Sequence, residues 1–201
     1  AESGKSGSLL QQGRGQKIPM TSRIDLHLHT DASDGAVSVE VLVARAALAG
    51  LTRIAVTEHD NIDSWDRARV SAKQNGIEAT PGIEISTLYR DHDVHLLGYD
   101  FSPGSAHLRN LIDHQRSIRH KRFSLILKKL KSLGIRLAPS DIHTEKTSAP
   151  GRVHVAQAMV AAGVVPDVET AFQRYLRRGR PAYVPHETIS PEEAIGVVHE
   201  A

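Results

Sequence analysis

Thirteen residues, "RIDLHLHTDASDG" from Arg23 to Gly35, hold two histidines and three aspartates on an otherwise apolar run. Imidazole nitrogens and carboxylate oxygens are ligands for divalent cations. Ile24 to Leu28 alternates and is β-prone, and residues two apart on a strand share a face, so His27 and His29 point the same way. Asp25 lies on that face one step earlier, where it could orient an imidazole. Asp31 and Asp34 follow on a turn with Gly35. Taken alone, the stretch is either a polar-faced edge strand or half of a metal site. In the second case its carboxylates sit at the strand's C-terminal end, where α/β barrels build their sites.

Recurrence favours the metal site. "VTEHD" (56–60) closes the next β-prone run with Glu58, His59 and Asp60, and "PGIEIS" (81–86) supplies Glu84. "DVHLLG" (93–98) supplies His95, and His154 follows in "GRVH". Carboxylates converging on one face repel and shift one another's pKa values unless a cation neutralises them. Asp60, beside His59, belongs among the supporting residues.

Composition bounds the alternatives. A chain of 201 residues, 40% hydrophobic, can bury one core, alone or with an insertion. No apolar run approaches the ~18 residues of a membrane span, so no membrane partner is expected. The absence of cysteine removes disulfides and thiolate ligands, leaving His, Asp and Glu to hold any metal. Twelve histidines are a heavy load for this length, whereas a formal charge of +2 does not announce nucleic-acid binding.

The elements that must position these residues come in short units. Residues 1–22 read as a disordered leader or an appended remnant, with Met20 a plausible native start. Ser38 can cap a helix carrying Val39, Leu42, Val43 and Ala46, stopped by Gly50. Strands are expected at 53–57, 77–79, 83–86 and 94–98, with a polar helix over 61–75. Strand and helix in alternation argue for a parallel α/β sheet or barrel, the 23–102 unit. From 103 to 180 the texture is helical: a long pattern over 104–134, then 153–162 and 168–178. The segment 181–201 returns to the α/β unit and stops inside a helix marked by Ser190, Pro191 and Glu193.

"DLHLHTDASDG", "VTEHD", "PGIEIS", "VHLLGYD" and "GRVHVAQAMV" together resemble the PHP (polymerase and histidinol phosphatase) superfamily of metal-dependent phosphoesterases. Within it the chain is most similar to the nucleotide 3′,5′-bisphosphate phosphatases and 5′-to-3′ exoribonucleases, over roughly Arg23 to Glu200. The resemblance implies a distorted (β/α)7 barrel with a helical insertion. It also implies two to three divalent ions (Mn, Zn, Fe or Mg), with His27, His29 and Glu84 holding one. Glu84 would bridge to a second ion held by His95 and His154, and Asp34 and His59 would hold a third. Such ions can ionise a bridging water and neutralise charge on a phosphoryl group. Two departures stand out. Glu58 replaces an aspartate of the family's D-H-D motif. The family's later Gly-rich strand ending in histidine, and its D-x-H, have no counterpart here, so the C-terminal strands are expected to be missing and the chain to be a fragment.

On the substrate side, Arg152 could grip a phosphate bidentately and act in catalysis. Arg178, Arg180 and His186 flank the last strand-like segment, and Arg180 and His186 are the further substrate candidates. The helix over 116–131 carries seven lysines and arginines around much of its circumference. These form a solvated face or a basic wall, although Arg119 falls on the apolar stripe itself. At 4% aromatic residues, base-stacking platforms are scarce, which favours a small nucleotide or a short RNA end. His92, His107, His114, His120, His143 and His199 match no motif and read as surface residues. The expected protein is a cytoplasmic phosphoesterase with no obvious protein partner. A histidinol-phosphate-type phosphatase and a non-catalytic PHP-like module are the competing readings.

Overall fold

A computed structural model describes residues 23–90, 92–137, 142 and 150–201. The expected leader over 1–22 and His143 lie outside the described residues. Strand β1 (Ile24–Leu28) leads through helix α1 (Val39–Leu48) to β2 (Arg53–Val56), and helix α2 (Trp65–Gln74) leads on to β3 (Glu78–Tyr89). Both crossovers give parallel pairs, with Ile24 opposite Arg53 and Arg53 opposite Glu78. Val39, Val43 and Ala46 of α1 pack with Ile54 and Val56 of β2 and with Ala68 and Ala72 of α2. The helical spacing read from 38–50 is therefore the packed face of α1, and Ser38 caps it by accepting from the Val41 N–H.

Two expected strands, 77–79 and 83–86, form one, because β3 changes partner midway. It pairs with β2 as far as Val56 opposite Pro81, then with β4 (His92–Tyr99) from Gly82 opposite Tyr99. Proline has no N–H to donate. A Cβ on Gly82 would come within 2.8 Å of Thr57 Cγ2, so the close crossing at the switch requires glycine. The β3–β4 pair is antiparallel, unlike the expected all-parallel sheet. The connection at 90–91 is far too short for a parallel crossover. The Tyr99 hydroxyl donates to the Leu26 carbonyl at 2.8 Å, joining the ends of the order β1-β2-β3-β4, so the sheet curls into a half-barrel. Among the described residues, this is a mixed α/β fold.

Helix α3 (Ala106–Ser132) crosses the molecule. Leu108, Leu111 and Ile112 on its first half pack against Ile83 and Ile85 of β3 and Ala194 of α6 (Pro191–His199). Ile126 and Leu130 on its second half join Val155 and Met159 of α4 (Arg152–Ala161). Helix α5 (Val168–Ala171) was expected to run to residue 178, but its hydrogen bonding widens into a π-turn over Phe172–Leu176, which the Arg177 N–H closes on the Phe172 carbonyl at 2.9 Å. Helix α2 starts four residues later than expected, because Asn61 Oδ1 accepts from the Asp63 N–H and holds a turn there. Helix α6 has the expected capping box, Ser190 Oγ accepting from the Glu193 N–H at 3.2 Å and Glu193 accepting in return. No described helix is long and apolar enough to cross a membrane.

Candidate metal centre

The centre forms where β1 and β2 end, beside the middle of β3 and β4. Glu84 lies on β3 between Ile83 and Ile85, so strand alternation turns its carboxylate away from the apolar face those two occupy. Four imidazoles meet it: His27 Nε2 at 3.1 Å, His29 Nε2 at 2.9 Å, His95 Nδ1 at 2.6 Å and His59 Nδ1 at 3.7 Å. Asp34 closes the other side, 3.5 Å from His29 Nδ1 and 3.4 Å from His59 Nε2. The donor atoms fall into three overlapping groups: His27–His29–Glu84, His29–Asp34–His59 and His59–Glu84–His95. Within each, all atoms lie within 4.8 Å of one another, a spacing that suits a divalent ion.

The sequence around these ligands explains their placement. The turn after β1 folds back because Gly35 donates to the Thr30 carbonyl at 2.9 Å. A Cβ at Gly35 would lie 2.4 Å from the His29 carbonyl oxygen, so only glycine permits that approach. Glu58, fully buried, pins the same turn by accepting from the Thr30 N–H at 3.2 Å and from the hydroxyls of Thr30 and Ser33. The glutamate in place of the expected aspartate therefore holds a loop. His59 continues β2 as an isolated bridge to Glu84, and Asp60 follows at φ 50°. That left-handed conformation is costly for a non-glycine residue. It is held by the Asp60 carboxylate, which accepts from the Ser86 N–H and hydroxyl, both at 2.7 Å, and pairs with Arg119.

Burial works to raise the pKa of Glu84, but the hydrogen bonds from His29 and His95 and the charge of His59 outweigh it and hold it well below the usual carboxylate range. Burial likewise opposes ionisation of Asp34, yet His59, His29 and His154 bring its pKa down to about 2. For His29, burial is outweighed by Glu84 and Asp34, and the net shift is upward. A carboxylate among four imidazoles is either an ion-pair cluster or a ligand set. His59 Nδ1 favours the second: it is buried and has no hydrogen-bond partner, so it lacks the acceptor or donor that a purely structural histidine acquires.

Two predicted residues stand differently. His154 lines the same cavity, but its Nε2 lies 2.7 Å from the Ser33 carbonyl and its Nδ1 accepts from the Gly151 N–H at 3.2 Å. It is absent from the three ligand groups, and burial lowers its pKa. Asp25 accepts from the His27 backbone N–H at 3.1 Å, so it acts on the strand.

A cavity of about 110 Å³ opens beside the cluster, with Asp34, His59 and His95 on one wall. Another stretch of its wall carries Arg119, Arg122, Arg152 and His186. Arg152 donates to Asp93 at 3.0 Å and lies over the Phe172 ring at 5.8 Å, and His186 Nδ1 is 3.6 Å from the same carboxylate. The contact from His186, against the opposing effect of burial and with help from Arg152 and Arg122, keeps Asp93 strongly ionised. Burial lowers the pKa of His186 in spite of Asp93. Arg180 is exposed and does not line the cavity. Sequence reasoning missed Asp93 and Arg122. Its one pointer was Arg119 on the apolar stripe: together with buried Gln115, that arginine faces Asp60 and Ser86 between the two apolar halves of α3. Of the other cations on this helix, Arg116 reaches Asp63, whereas Lys128 and Lys131 are exposed.

A family model for the PHP domain matches residues 25–178. The chain belongs to the PHP domain family. It is 37% identical over 185 residues to the 5′-3′ exoribonuclease of Haemophilus influenzae, covering 90% of this chain and 66% of that protein. It is 31% identical over 184 residues to the 3′,5′-nucleoside bisphosphate phosphatase of Chromobacterium violaceum, covering 87% of this chain and 62% of that one. A crystal structure assigned as a metal-dependent phosphoesterase, from Bifidobacterium adolescentis, superposes with a TM-score of 0.83 at 30% identity, over 90% of this chain and 64% of its own. The chain thus spans just under two thirds of the length of these relatives.

Proposed function

We propose that the protein is a metal-dependent phosphoesterase that hydrolyses phosphate esters of nucleotides, either 3′,5′-bisphosphates or the ends of short 5′-phosphorylated RNA. The observation that carries this reading is Glu84 among four imidazoles, two of which, His59 and His95, line one small cavity together with Arg119, Arg122 and Arg152. The reading gives His27, His29 and Glu84 to one ion, Glu84 and His95 to a second with His154 beside it, and Asp34 with His59 to a third. Mixed nitrogen and oxygen donors suit Mn²⁺, Zn²⁺, Fe²⁺ or Mg²⁺. When bound, such ions supply Lewis-acid charge and lower the pKa of water.

The chain's own residues do the rest. Arg152, with its guanidinium fixed by Asp93, grips phosphoryl oxygens and stabilises charge that develops on them. His186 backs the same carboxylate and lines the cavity. Glu58 and Asp60 fix the turns that present Asp34 and His59. A cavity of about 110 Å³ admits a terminal phosphate with its sugar more readily than an extended strand. In this reading the half-barrel over 23–102 is the start of a distorted (β/α)7 barrel, 103–180 is a helical insertion, and 181–201 returns to the barrel. The names of the bacterial relatives fit a cytoplasmic nucleotide or RNA substrate.

Phosphate release from adenosine 3′,5′-bisphosphate and from a 5′-phosphorylated oligoribonucleotide, with and without a chelator, tests the reading. Release that stops with the chelator and returns with added divalent metal supports it. No release from either substrate by metal-loaded protein leaves a non-catalytic PHP-like module.

A further inference from the structure

The polar residues that interrupt the apolar stripe of α3 form a buried cluster behind the metal centre. Gln115 follows Leu111 by four residues and Ile112 by three, so helical spacing gives it a core position, and it is 2% exposed. Its Nε2 donates to the Ser86 carbonyl at 2.6 Å and to Asp60 Oδ1 at 3.4 Å, and its Oε1 accepts from the Thr188 hydroxyl at 2.8 Å. The surroundings permit only that orientation of the amide, because turning it over would set Oε1 against a carbonyl and a carboxylate. Both groups at the Nε2 end belong to the scaffold of the centre. Ser86 lies two residues beyond Glu84 on β3 and stands opposite His95 on β4, and Asp60 follows His59 and accepts from the Ser86 N–H. The group at the Oε1 end belongs to another segment. Thr188 is two residues from His186, which lines the cavity, and the neighbouring Ile189 carbonyl accepts from the Leu88 N–H at 3.0 Å. Gln115 itself does not line the cavity.

We propose that Gln115 is a positioning residue, which through Thr188 and the Ser86–Asp60 pair sets the His186-bearing part of the cavity wall against the metal ligands. An amide suits this task better than an apolar contact, because a buried polar group is stable only in the arrangement that satisfies it. Methionine at 115 would fill much the same space, yet it would leave α3 without a directional hold on β3 or on the 188–189 segment. A misplacement of about 1 Å at a catalytic site can cost roughly a hundredfold in rate, even when the altered residue is far from the chemistry. This inference rests on the phosphoesterase reading and adds a residue to it.

The test measures Mn²⁺ affinity by calorimetry, and kcat and KM for phosphate release from adenosine 3′,5′-bisphosphate, in wild type, Gln115→Met, Thr188→Val and Thr188→Ser. Residues that orient metal ligands typically change metal affinity or activity by about 10–100-fold when replaced. Gln115→Met should therefore weaken Mn²⁺ binding and lower kcat, each by roughly tenfold or more, with KM little changed. Thr188→Val should shift both in the same direction by less, and Thr188→Ser, which keeps the hydroxyl, should restore them. Gln115→Met that loses stability in urea but keeps wild-type Mn²⁺ affinity and kcat has lost only a structural amide, and overturns the proposal. If Gln115→Met does not fold, the Thr188 pair decides, and equal values for Thr188→Val and Thr188→Ser overturn it. Should the wild type release no phosphate, the phosphoesterase reading fails alone, and the Mn²⁺ affinities of the variants still decide. A wild type that binds no Mn²⁺ overturns both.

Discussion

The two walls of the cavity are made from different parts of the chain by different rules. The histidine–carboxylate wall comes from β1 and the turn after it, the end of β2, and the middle of β3 and β4, where strand alternation and tight turns fix each side chain. The arginine wall comes from α3, the start of α4 and the segment before α6, which only tertiary packing brings together. On the first wall carboxylates and imidazoles meet in groups whose spacing suits a divalent ion. On the second, Arg119 is tied to Asp60 and Ser86, Arg152 to Asp93, and Arg122 to the Val184 carbonyl. The difference teaches that one cavity can gather carboxylates and imidazoles by strand geometry on one part of its wall and guanidiniums by tertiary packing on another.

The largest expected effect lies on the first wall. Glu84→Ala removes the carboxylate shared by four imidazoles and should lower phosphate release by more than roughly a thousandfold, beyond the ~10–100-fold typical of residues that only orient ligands. Elemental analysis should show a matching loss of metal. Turnover near wild type would end the assignment of Glu84.

Next comes the joint between the walls. Arg119→Met leaves Asp60, 1% exposed, as an unpaired buried charge. Urea denaturation should register a loss of about 3–5 kcal/mol, much of it recovered when Asp60→Asn is added. A loss below about 1 kcal/mol would mean that Arg119 is free to serve the cavity.

Arg152→Lys keeps the charge but loses the planar fork, so KM for a phosphate ester should rise by about tenfold while kcat falls less. Unaltered KM and kcat would mean that Arg152 grips no phosphate and serves only Asp93.

The smallest effect is a reference outside both walls. Arg67 donates to both oxygens of Glu40 at 2.9 and 2.7 Å, joining α2 to α1, and brings the pKa of Glu40 down to about 2 from an ordinary 4.5. The folded-state value is the lower one, so its stabilisation is complete above pH 4.5 and is lost as pH falls toward 2. The pair is half exposed, so Glu40→Gln should cost less than about 1 kcal/mol at pH 7, and the difference in urea midpoint should vanish near pH 2.

The first wall was legible because its information is local. His27, His29, Asp34, His59, Glu84 and His95 each lie on or shortly after a β-prone run, and the structure brings all six together. His154 shared the motif, yet both its ring nitrogens are taken by backbone groups from residues that sequence spacing does not relate to it. The second wall was mostly illegible. Helical periodicity treats a charged residue as solvent-facing, so Arg122 was grouped with exposed lysines, and only Arg119 broke the stripe visibly. Asp93 sits two residues before His95 on β4 and gained its meaning from Arg152 and His186, 59 and 93 residues away. In the fold, the helices and their caps were readable, whereas the partner switch of β3 at Pro81–Gly82 depends on Thr57, a contact between strands.

The central claim is that the Glu84 cluster holds the ions. Anomalous diffraction from crystals grown with Mn²⁺ tests it most directly. The account predicts peaks within about 2.0–2.3 Å of the Glu84 carboxylate and of the imidazole nitrogens of His27, His29, His59 and His95. Manganese bound elsewhere, with no peak at Glu84, would contradict it.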